Sequence, residues 1–140
     1  MELLSEADYR NGDCRNKKWT EEREYREEIM QEVSVIIPNF NGMAYLDGVL
    51  AGLECQSVNN FEVILVDNGS SDGSCAFVAA RYPWVHLIEL PENFGFCKAV
   101  NEGIKASRAP YVLLLNNDIE VTENFIEEMI LAIKRHPKAF

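Results

Sequence analysis

The stretch FEVILVDNGSSDGS, residues 61–74, joins an apolar run to a polar segment that contains two glycines. The run FEVILV, residues 61–66, is rich in β-branched and aliphatic residues, which predicts a buried strand. The residues from Asp67 to Ser74 are of the types that form turns and helix starts. This unit of a buried strand followed by a polar loop decides the fold, because the chain contains it four times.

Three further apolar runs lead into polar loops in the same way. They are VSVII (33–37) before PNFNG, VHLIEL (85–90) before PENFG, and YVLLL (111–115) before NNDIE. Segments with helical spacing follow the four strands at residues 43–54, about 73–81, 97–106 and 123–135. Each segment between strands is long enough for a parallel crossover, and the strands lack a clean polar alternation. We therefore predict an α/β fold with a mostly parallel sheet and helices on both faces.

The first 32 residues differ in character from the rest of the chain. They are rich in charged residues and poor in aliphatic ones, and Thr20 precedes a glutamate-rich turn as a predicted helix N-cap. We predict that residues 1–32 form a charged extension, helical or partly disordered, and that residues 33–140 form the folded domain. No chemistry is assigned to the extension.

The composition limits the classes of function. The 140 residues are 47% hydrophobic, which suits one globular domain, and the net charge of −10 argues against a nucleic-acid partner. No apolar run has the length of a membrane span, and acids follow the first residues where a signal peptide would be apolar. The predicted location is cytoplasmic, with peripheral association at the inner face of the membrane left open. The four cysteines lack CxxC spacing and are predicted to be reduced packing residues.

The four polar loops together predict a binding site. In open parallel sheets the carboxyl ends of the strands form one rim, where ligands bind. Asp67 at the end of the second strand offers an acceptor for a nucleobase or a ribose, and Asp118 after the fourth strand offers a carboxylate for a divalent cation on a diphosphate. The alternative is that these residues only form turns and helix caps. Neither GxGxxG nor GxxxxGK[ST] is present, so the two common glycine-rich phosphate motifs are excluded.

Four motifs in this order carry a resemblance to a known family: VSVIIPNFNG, EVILVDNGSSDGS, ENFGFCKAVNEGI and YVLLLNNDIEV. They resemble the N-terminal half of the family 2 glycosyltransferases with the GT-A fold, a Rossmann-like α/β fold, and within it the rhamnosyltransferase-like branch. The resemblance covers about residues 33–140. It implies a nucleotide-diphosphate sugar as donor, a glycan or lipid-linked acceptor whose hydroxyl receives the sugar, and a role in cell-surface polysaccharide or glycan synthesis.

The resemblance also implies which residues bind the donor. Residues of the first motif would line the nucleotide pocket, those of the second would read the base, and those of the third would border the ribose and diphosphate. The residues concerned are Pro38, Asn39, Phe40, Asn41, Asp67, Asn68, Asn93, Gly95, Lys98 and Asn101.

Asn116, Asn117 and Asp118 stand where the family has its DxD motif, and the resemblance implies that they also bind the donor. Asp118 matches the acid that binds the metal, which implies Mg²⁺ or Mn²⁺ as cofactor. Because Asn116 is neutral, the first carboxylate is missing, so we predict a weakened or altered metal dependence. Glu120 faces the same side if the chain stays extended and is a further, weaker candidate ligand.

The family's second half, which supplies the acceptor site and the general base, has no counterpart before Phe140. We therefore expect a donor-binding portion that is inactive alone, whose catalytic residues are unknown, and whose exposed sheet edge leads to self-association. Two alternatives remain: a non-catalytic α/β interaction or regulatory module, and a nucleotidyltransferase-like nucleotide binder. Convergence of Asp67 and Asp118 on one rim distinguishes the enzyme from the module.

Overall fold

A computed structural model of the protein describes residues 30–138. In these residues four strands alternate with four helices. The strands are β1 (Val33–Asn39), β2 (Phe61–Asp67), β3 (His86–Glu89) and β4 (Tyr111–Leu114). The helices are α1 (Met43–Glu54), α2 (Ser74–Arg81), α3 (Phe96–Ala106) and α4 (Phe125–Arg135). None of these described helices combines the length and the apolar character that crossing a membrane requires.

The strands form one parallel sheet in the order β3-β2-β1-β4. β1 pairs with β2 along its whole length, from Val33 opposite Phe61 to Asn39 opposite Asp67, and with β4 on its other side. A helix connects each strand to the next one in the chain, as parallel neighbours require. The parallel α/β fold is confirmed, and the predicted element bounds differ from the observed ones by at most two residues.

The two faces of the sheet are covered by different helices. Val35, Leu65 and the other odd-numbered apolar residues of β1 and β2 share one core with apolar residues of α1, α2 and α4. On the opposite face, Ile64 and Val66 pack against Ala99 of α3. Burial on both faces explains why these strands read as continuous apolar runs. The predicted placement of helices on both faces is confirmed.

The segment before β1 is described only from residue 30. Residues 1–29, which include most of the predicted charged extension, lie outside the described residues. Residues 30–32, the end of the predicted helix, are not helical. Instead, Glu32 continues the sheet: its N–H donates to the Asn60 carbonyl, and its carbonyl accepts from the Tyr111 N–H. These bonds at the sheet end replace the helical bonds that the local sequence predicted.

The cysteines do not all behave as predicted. Cys75 and Cys97 have free thiols, whereas Cys55 is disulfide-bonded, and Cys14 lies outside the described residues. The prediction of reduced cysteines is therefore wrong at Cys55. The absence of CxxC spacing carries no information about pairs that are distant in the sequence, which is why the local pattern misled.

Candidate functional site

The carboxyl ends of the four strands meet at one edge of the sheet, which we call the rim. It comprises the strand ends and loops at residues 39–42, 67–73, 89–95 and 115–118. Asn39 and Asp67 are partners at the last register position of β1 and β2. Directly after β4, the Leu115 N–H donates to the Ile36 carbonyl of β1, so residues 116–118, the NND turn, begin beside β1. Asp67 and Asp118 thus belong to the same rim, as predicted.

A cavity of about 300 Å³ opens at the rim between the strand ends and the start of α3. Its lining residues are Pro38, Asn39, Phe40, Asn68, Asn93, Gly95, Phe96 and Ala99. None of these side chains is charged. Phe40 and Phe96 are 49% and 56% exposed, which is high for large apolar residues. The cavity therefore offers amides and aromatic rings rather than carboxylates or ammonium groups.

Asp67 is almost completely buried, and both of its carboxylate oxygens accept hydrogen bonds from the chain. Its Oδ1 accepts from Asn39 Nδ2 at 2.8 Å and from Ser70 Oγ at 2.7 Å. Its Oδ2 accepts from the Ser70 backbone N–H at 2.8 Å. Hydrogen bonds to a carboxylate are strong, so Asp67 orders the start of the β2–α2 loop. Reading of a base by Asp67 stays a prediction.

Asn68 fixes the loop that leads into α3. Its Nδ2 donates to Asn93 Oδ1 at 2.9 Å and to the Gly95 carbonyl at 3.1 Å, and its Oδ1 accepts from the Phe94 N–H at 3.0 Å. Gly95 has φ 87°, a conformation that favours glycine. One buried amide directly after β2 therefore sets the shape of the loop that forms one wall of the cavity.

The β1–α1 and β2–α2 loops are also bonded to each other. The Asn41 N–H donates to Ser70 Oγ at 2.8 Å, and Asn41 has φ 49°, which asparagine tolerates better than most residues. Asp72 accepts from the N–H groups of Met43 at 2.9 Å and Ser74 at 3.0 Å, the first residues of α1 and α2. The side-chain hydrogen bond from Ser74 is the main cause that lowers the pKa of Asp72.

The NND turn presents one charged side chain, Asp118, at the exposed side of the rim. Asn117 Nδ2 donates to Asn39 Oδ1 at 2.7 Å, while Asn116 and Asp118 are exposed. Within residues 30–138 no three His, Cys, Asp or Glu side chains are grouped to hold a metal ion. Mg²⁺ commonly binds one or two carboxylates together with substrate phosphates. Asp118 therefore fits a cation shared with a phosphate ligand, and not a site made by protein alone.

The other predicted site residues lie on the exposed surface. Lys98 and Asn101 are on the outer side of α3, and Glu120 is exposed after the NND turn. Lys98 Nζ donates to Glu102 Oε1 at 2.7 Å, and Lys105 Nζ donates to the same oxygen at 2.9 Å. Both hydrogen bonds lower the pKa of the Glu102 carboxyl group, to about 2, and the bond from Lys98 has the larger effect. Contact of Lys98 with a diphosphate stays a prediction.

The sequence analysis missed four residues that shape the site. Phe96 and Ala99 line the cavity, Ser70 bonds to Asp67, and Gly42 lies against the Asn39 and Asn117 side chains. All four stand inside the quoted motifs, and Phe96, Ala99 and Gly42 are directly beside selected residues. Composition and spacing reveal no chemistry for a phenylalanine, an alanine, a serine in a turn or a glycine, and the resemblance implies no role for these four.

The sequence of the chain is similar to those of known glycosyltransferases. The sequence profile described as Glycosyl transferase family 2 matches residues 34–140. Glycosyltransferase GlyG of Streptococcus pneumoniae serotype 4 is 31% identical over 100 residues, which are 69% of this chain and 33% of GlyG. The putative teichuronic acid biosynthesis glycosyltransferase TuaG of Bacillus subtilis is 28% identical over 112 residues, 77% of this chain and 44% of TuaG. The chain thus spans less than half the length of these curated relatives.

Solved structures show the same architecture. S. aureus TarS 1-349 in complex with UDP-GlcNAc superposes with a TM-score of 0.70 at 26% identity, over 76% of this chain and 32% of that one. The complex of TarS 1-349 with UDP gives a TM-score of 0.69 over 76% of this chain and 33% of that one, again at 26% identity. The Rossmann-like α/β fold predicted from the sequence is confirmed by this agreement.

Proposed function

The chain belongs to glycosyl transferase family 2, and on that premise we propose that it binds a nucleoside-diphosphate sugar at the rim, as the donor-binding part of an enzyme that transfers the sugar to an acceptor hydroxyl. The observation that carries the proposal is the cavity of about 300 Å³ at the carboxyl ends of the strands. Ligands of open α/β sheets bind at this edge. Because the chain spans 33% of GlyG, the acceptor and the reaction of a whole protein are part of the proposal.

The chemistry of the cavity suits the nucleoside half of such a donor. A nucleobase has a flat apolar face and a polar edge, and stacking on an aromatic ring contributes about 1–3 kcal/mol per base. Phe40 and Phe96 supply half-exposed rings at the cavity, and Asn93 supplies an amide. We assign the base and the ribose to this cavity. Asp67 and Asn68 fix the loops around it through their hydrogen bonds.

The diphosphate is assigned to the space between α3 and the NND turn. α3 starts at the cavity, its N-cap Gly95 contributes no side-chain hydrogen bond, and a helix N-terminus favours anions. Lys98 lies in the first turn of this helix. On the other side, Asp118 would hold Mg²⁺ or Mn²⁺. Such a cation, when bound, supplies positive charge that stabilises the diphosphate as a leaving group.

The names of relatives suggest the donor and the pathway class. The TarS structures contain UDP and UDP-GlcNAc, so a uridine donor is the first to test. TuaG is named for teichuronic acid biosynthesis, which supports the synthesis of a cell-surface polysaccharide. The rhamnosyltransferase-like branch, the glycan or lipid-linked acceptor and the cytoplasmic or peripheral membrane location remain parts of the same proposal.

Calorimetric titration tests the proposal directly. UDP, GDP and deoxythymidine diphosphate are titrated into the chain with and without Mn²⁺ or Mg²⁺. We expect at least one to bind, and to bind more tightly with the cation. If none of them binds under any condition, the donor-binding function is refuted.

A matched pair of variants locates the binding site. Phe96→Ala removes a ring that lines the cavity, whereas Phe94→Ala removes a ring of similar exposure, 46%, that does not line it. A stacked base predicts a loss of affinity of about tenfold for Phe96→Ala and little change for Phe94→Ala. Equal losses in the two variants would place the nucleoside outside this cavity.

A further inference from the structure

Asn39 and Asn117 connect the cavity to the NND turn through their side-chain amides. Asn117 Nδ2 donates to Asn39 Oδ1 at 2.7 Å, and Asn39 Nδ2 donates to Asp67 Oδ1 at 2.8 Å. Asn39 and Asp67 are 2% and 1% exposed. The three side chains therefore form one continuous row of hydrogen bonds from the end of β2, across the end of β1, to the turn after β4.

The direction of these hydrogen bonds is fixed by Asp67. Both carboxylate oxygens of Asp67 accept hydrogen bonds, so the NH₂ group of Asn39 faces Asp67 and the Asn39 oxygen faces the other way. Asn117 must then present its own NH₂ group to that oxygen. The NH₂ group of Asn117, the middle residue of the NND turn, is thus hydrogen-bonded within the protein. Asn117 therefore holds the turn against β1.

Gly42 provides a second, independent observation at the same place. A Cβ on Gly42 would overlap Asn117 Nδ2 and Asn39 Oδ1, the two atoms of the hydrogen bond. Gly42 has φ −102° and ψ 21°, which other residues also adopt, so its backbone does not require glycine. What requires glycine here is the room for the hydrogen bond between the two asparagines.

From these contacts we propose that Asn39 and Asn117 are positioning residues, whose hydrogen bond fixes the NND turn relative to the cavity. A nucleotide in the cavity and a cation on Asp118 then act on the same diphosphate. This inference rests on the proposed donor-binding function. Loss of residues that orient a metal ligand typically lowers metal affinity or activity by about 10- to 100-fold.

Gly42→Ala tests the inference, with Gly48→Ala as its matched control. Both place a methyl group on α1 or its N-cap, but a Cβ on Gly48 meets nothing within 4 Å. In Gly42→Ala the hydrogen bond between Asn39 and Asn117 should break, because the added methyl group overlaps both Asn117 Nδ2 and Asn39 Oδ1. The measurement is the affinity, with and without Mn²⁺, for whichever of UDP, GDP and deoxythymidine diphosphate the wild type binds best.

We expect Gly42→Ala to lose about tenfold or more of the affinity gained from Mn²⁺, beyond any change in its affinity without metal, whereas both affinities of Gly48→Ala stay close to wild type. Unchanged affinity in Gly42→Ala, or an equal loss with and without Mn²⁺, would overturn the positioning role and leave the donor-binding function standing. A wild type that binds no nucleoside diphosphate would overturn both.

Asn117→Ala gives a second test that adds no bulk to the rim. It removes the donor of the same hydrogen bond, so it should show the same selective loss of the Mn²⁺-dependent affinity. Because both changes act on one contact, the double variant with Gly42→Ala should lose little more than either single variant. Independent, additive losses would contradict the proposal, and if Gly42→Ala fails to fold, Asn117→Ala alone decides.

Discussion

At the residue scale, the two aspartates of the rim differ in what their oxygens do. Asp67 is 1% exposed, and both its oxygens accept hydrogen bonds from Asn39 and Ser70. Asp118 is exposed at the tip of the NND turn. A carboxylate that the protein itself satisfies stabilises loops, whereas an exposed one can bind a cation with a phosphate ligand. Of the two aspartates, we therefore propose Asp118 for the metal function.

Asp118→Asn should weaken the metal-dependent binding of a nucleoside diphosphate by about 100-fold or more, because it removes a ligand charge while it keeps the size and turn propensity of the side chain. The melting temperature without ligand should stay close to that of the wild type, since an exposed residue contributes little to the core. Calorimetry with and without Mn²⁺ measures the first quantity and a thermal melt the second. Glu120→Gln removes the same charge two residues later and should leave the metal dependence largely intact. Unchanged affinity in Asp118→Asn would end the metal assignment.

Asp72→Ala should destabilise the protein at neutral pH by about 1 kcal/mol, the typical cost of losing a side-chain cap. Asp72 accepts hydrogen bonds from the first N–H groups of α1 and α2. The Ser74 hydroxyl lowers its pKa below the ordinary value of 3.8. A lowered native pKa means that the stabilisation is complete above the ordinary value and disappears as the pH falls through the native pKa.

The measurement for Asp72 is the melting temperature of wild type and variant across pH 2–7. The gap between them should be widest above about pH 4 and should close toward pH 2. Glu92→Ala, which removes another exposed acid of the rim, serves as control and should show a smaller gap. A gap that stays constant at all pH values would show that the charge of Asp72 does not act through these caps.

The hydrogen bonds of the rim mark the limit of prediction from sequence at the residue scale. Because strand ends in a parallel sheet share one edge, the sequence predicted that the loops containing Asn39, Asp67 and Asn117 meet. Asn39 and Asn117 are 78 residues apart, and Asn39 and Asp67 are 28 apart. Neither composition nor spacing states which amide donates to which oxygen over such separations. The group of residues was predictable, and its internal bonding was not.

At the element scale, bounds were predictable where the local signal agrees with the tertiary contacts. α1 begins and ends where its periodicity predicts, at Met43 and Glu54. β1 continues beyond the predicted end at Ile37 to Asn39, although Pro38 lacks an N–H, because the Asn39 carbonyl accepts from Asn68. Proline at a strand end is read as a stop from sequence alone. The partner strand that overrides this signal is visible only in the fold.

α4 shows the same effect at a helix start. It was predicted from residue 123 but begins at Phe125. The Phe125 N–H turns back to the Thr122 carbonyl, and the next N–H, of Ile126, donates to Gln56 Oε1. A glutamine 70 residues away thus binds an N–H of the first turn. Such a remote partner leaves no local signal near residue 123.

Gly103→Ala and Gly48→Ala should change the free energy of unfolding in opposite directions. Both glycines lie inside helices, where alanine is favoured by about 0.8–1.0 kcal/mol. A Cβ on Gly48 meets nothing, but a Cβ on Gly103 would press on the side chains of Ile36 and Val66 in the sheet. Overpacking of a core costs about 1–3 kcal/mol. Urea denaturation should show Gly48→Ala more stable than wild type and Gly103→Ala less stable. Stabilisation by both changes would mean that α3 does not pack closely on β1.

At the scale of the whole molecule, the edge strand β4 carries exposed apolar residues. In the part of the chain that the structure describes, β4 pairs with β1 only. Val112 and Leu114 of β4 are 44% and 45% exposed. Exposed strand edges with apolar side chains are sites where chains associate. The net charge of −10 opposes association through repulsion between copies.

The 140-residue chain should self-associate through β4, more strongly at higher salt. Partial burial of a side chain such as Leu114 contributes on the order of 1 kcal/mol per copy. At 0.1 M, salt largely screens the repulsion between exposed charges that are more than about 10 Å apart, so the acidic chains repel each other less. Sedimentation velocity over a range of protein and NaCl concentrations measures the effect. Leu114→Lys should shift the chain toward monomer. Met129→Lys adds the same charge at an apolar residue of α4 that is 42% exposed, and it should shift the equilibrium much less. A wild type that sediments as a monomer at every protein and salt concentration would show that the β4 edge does not associate with a second copy.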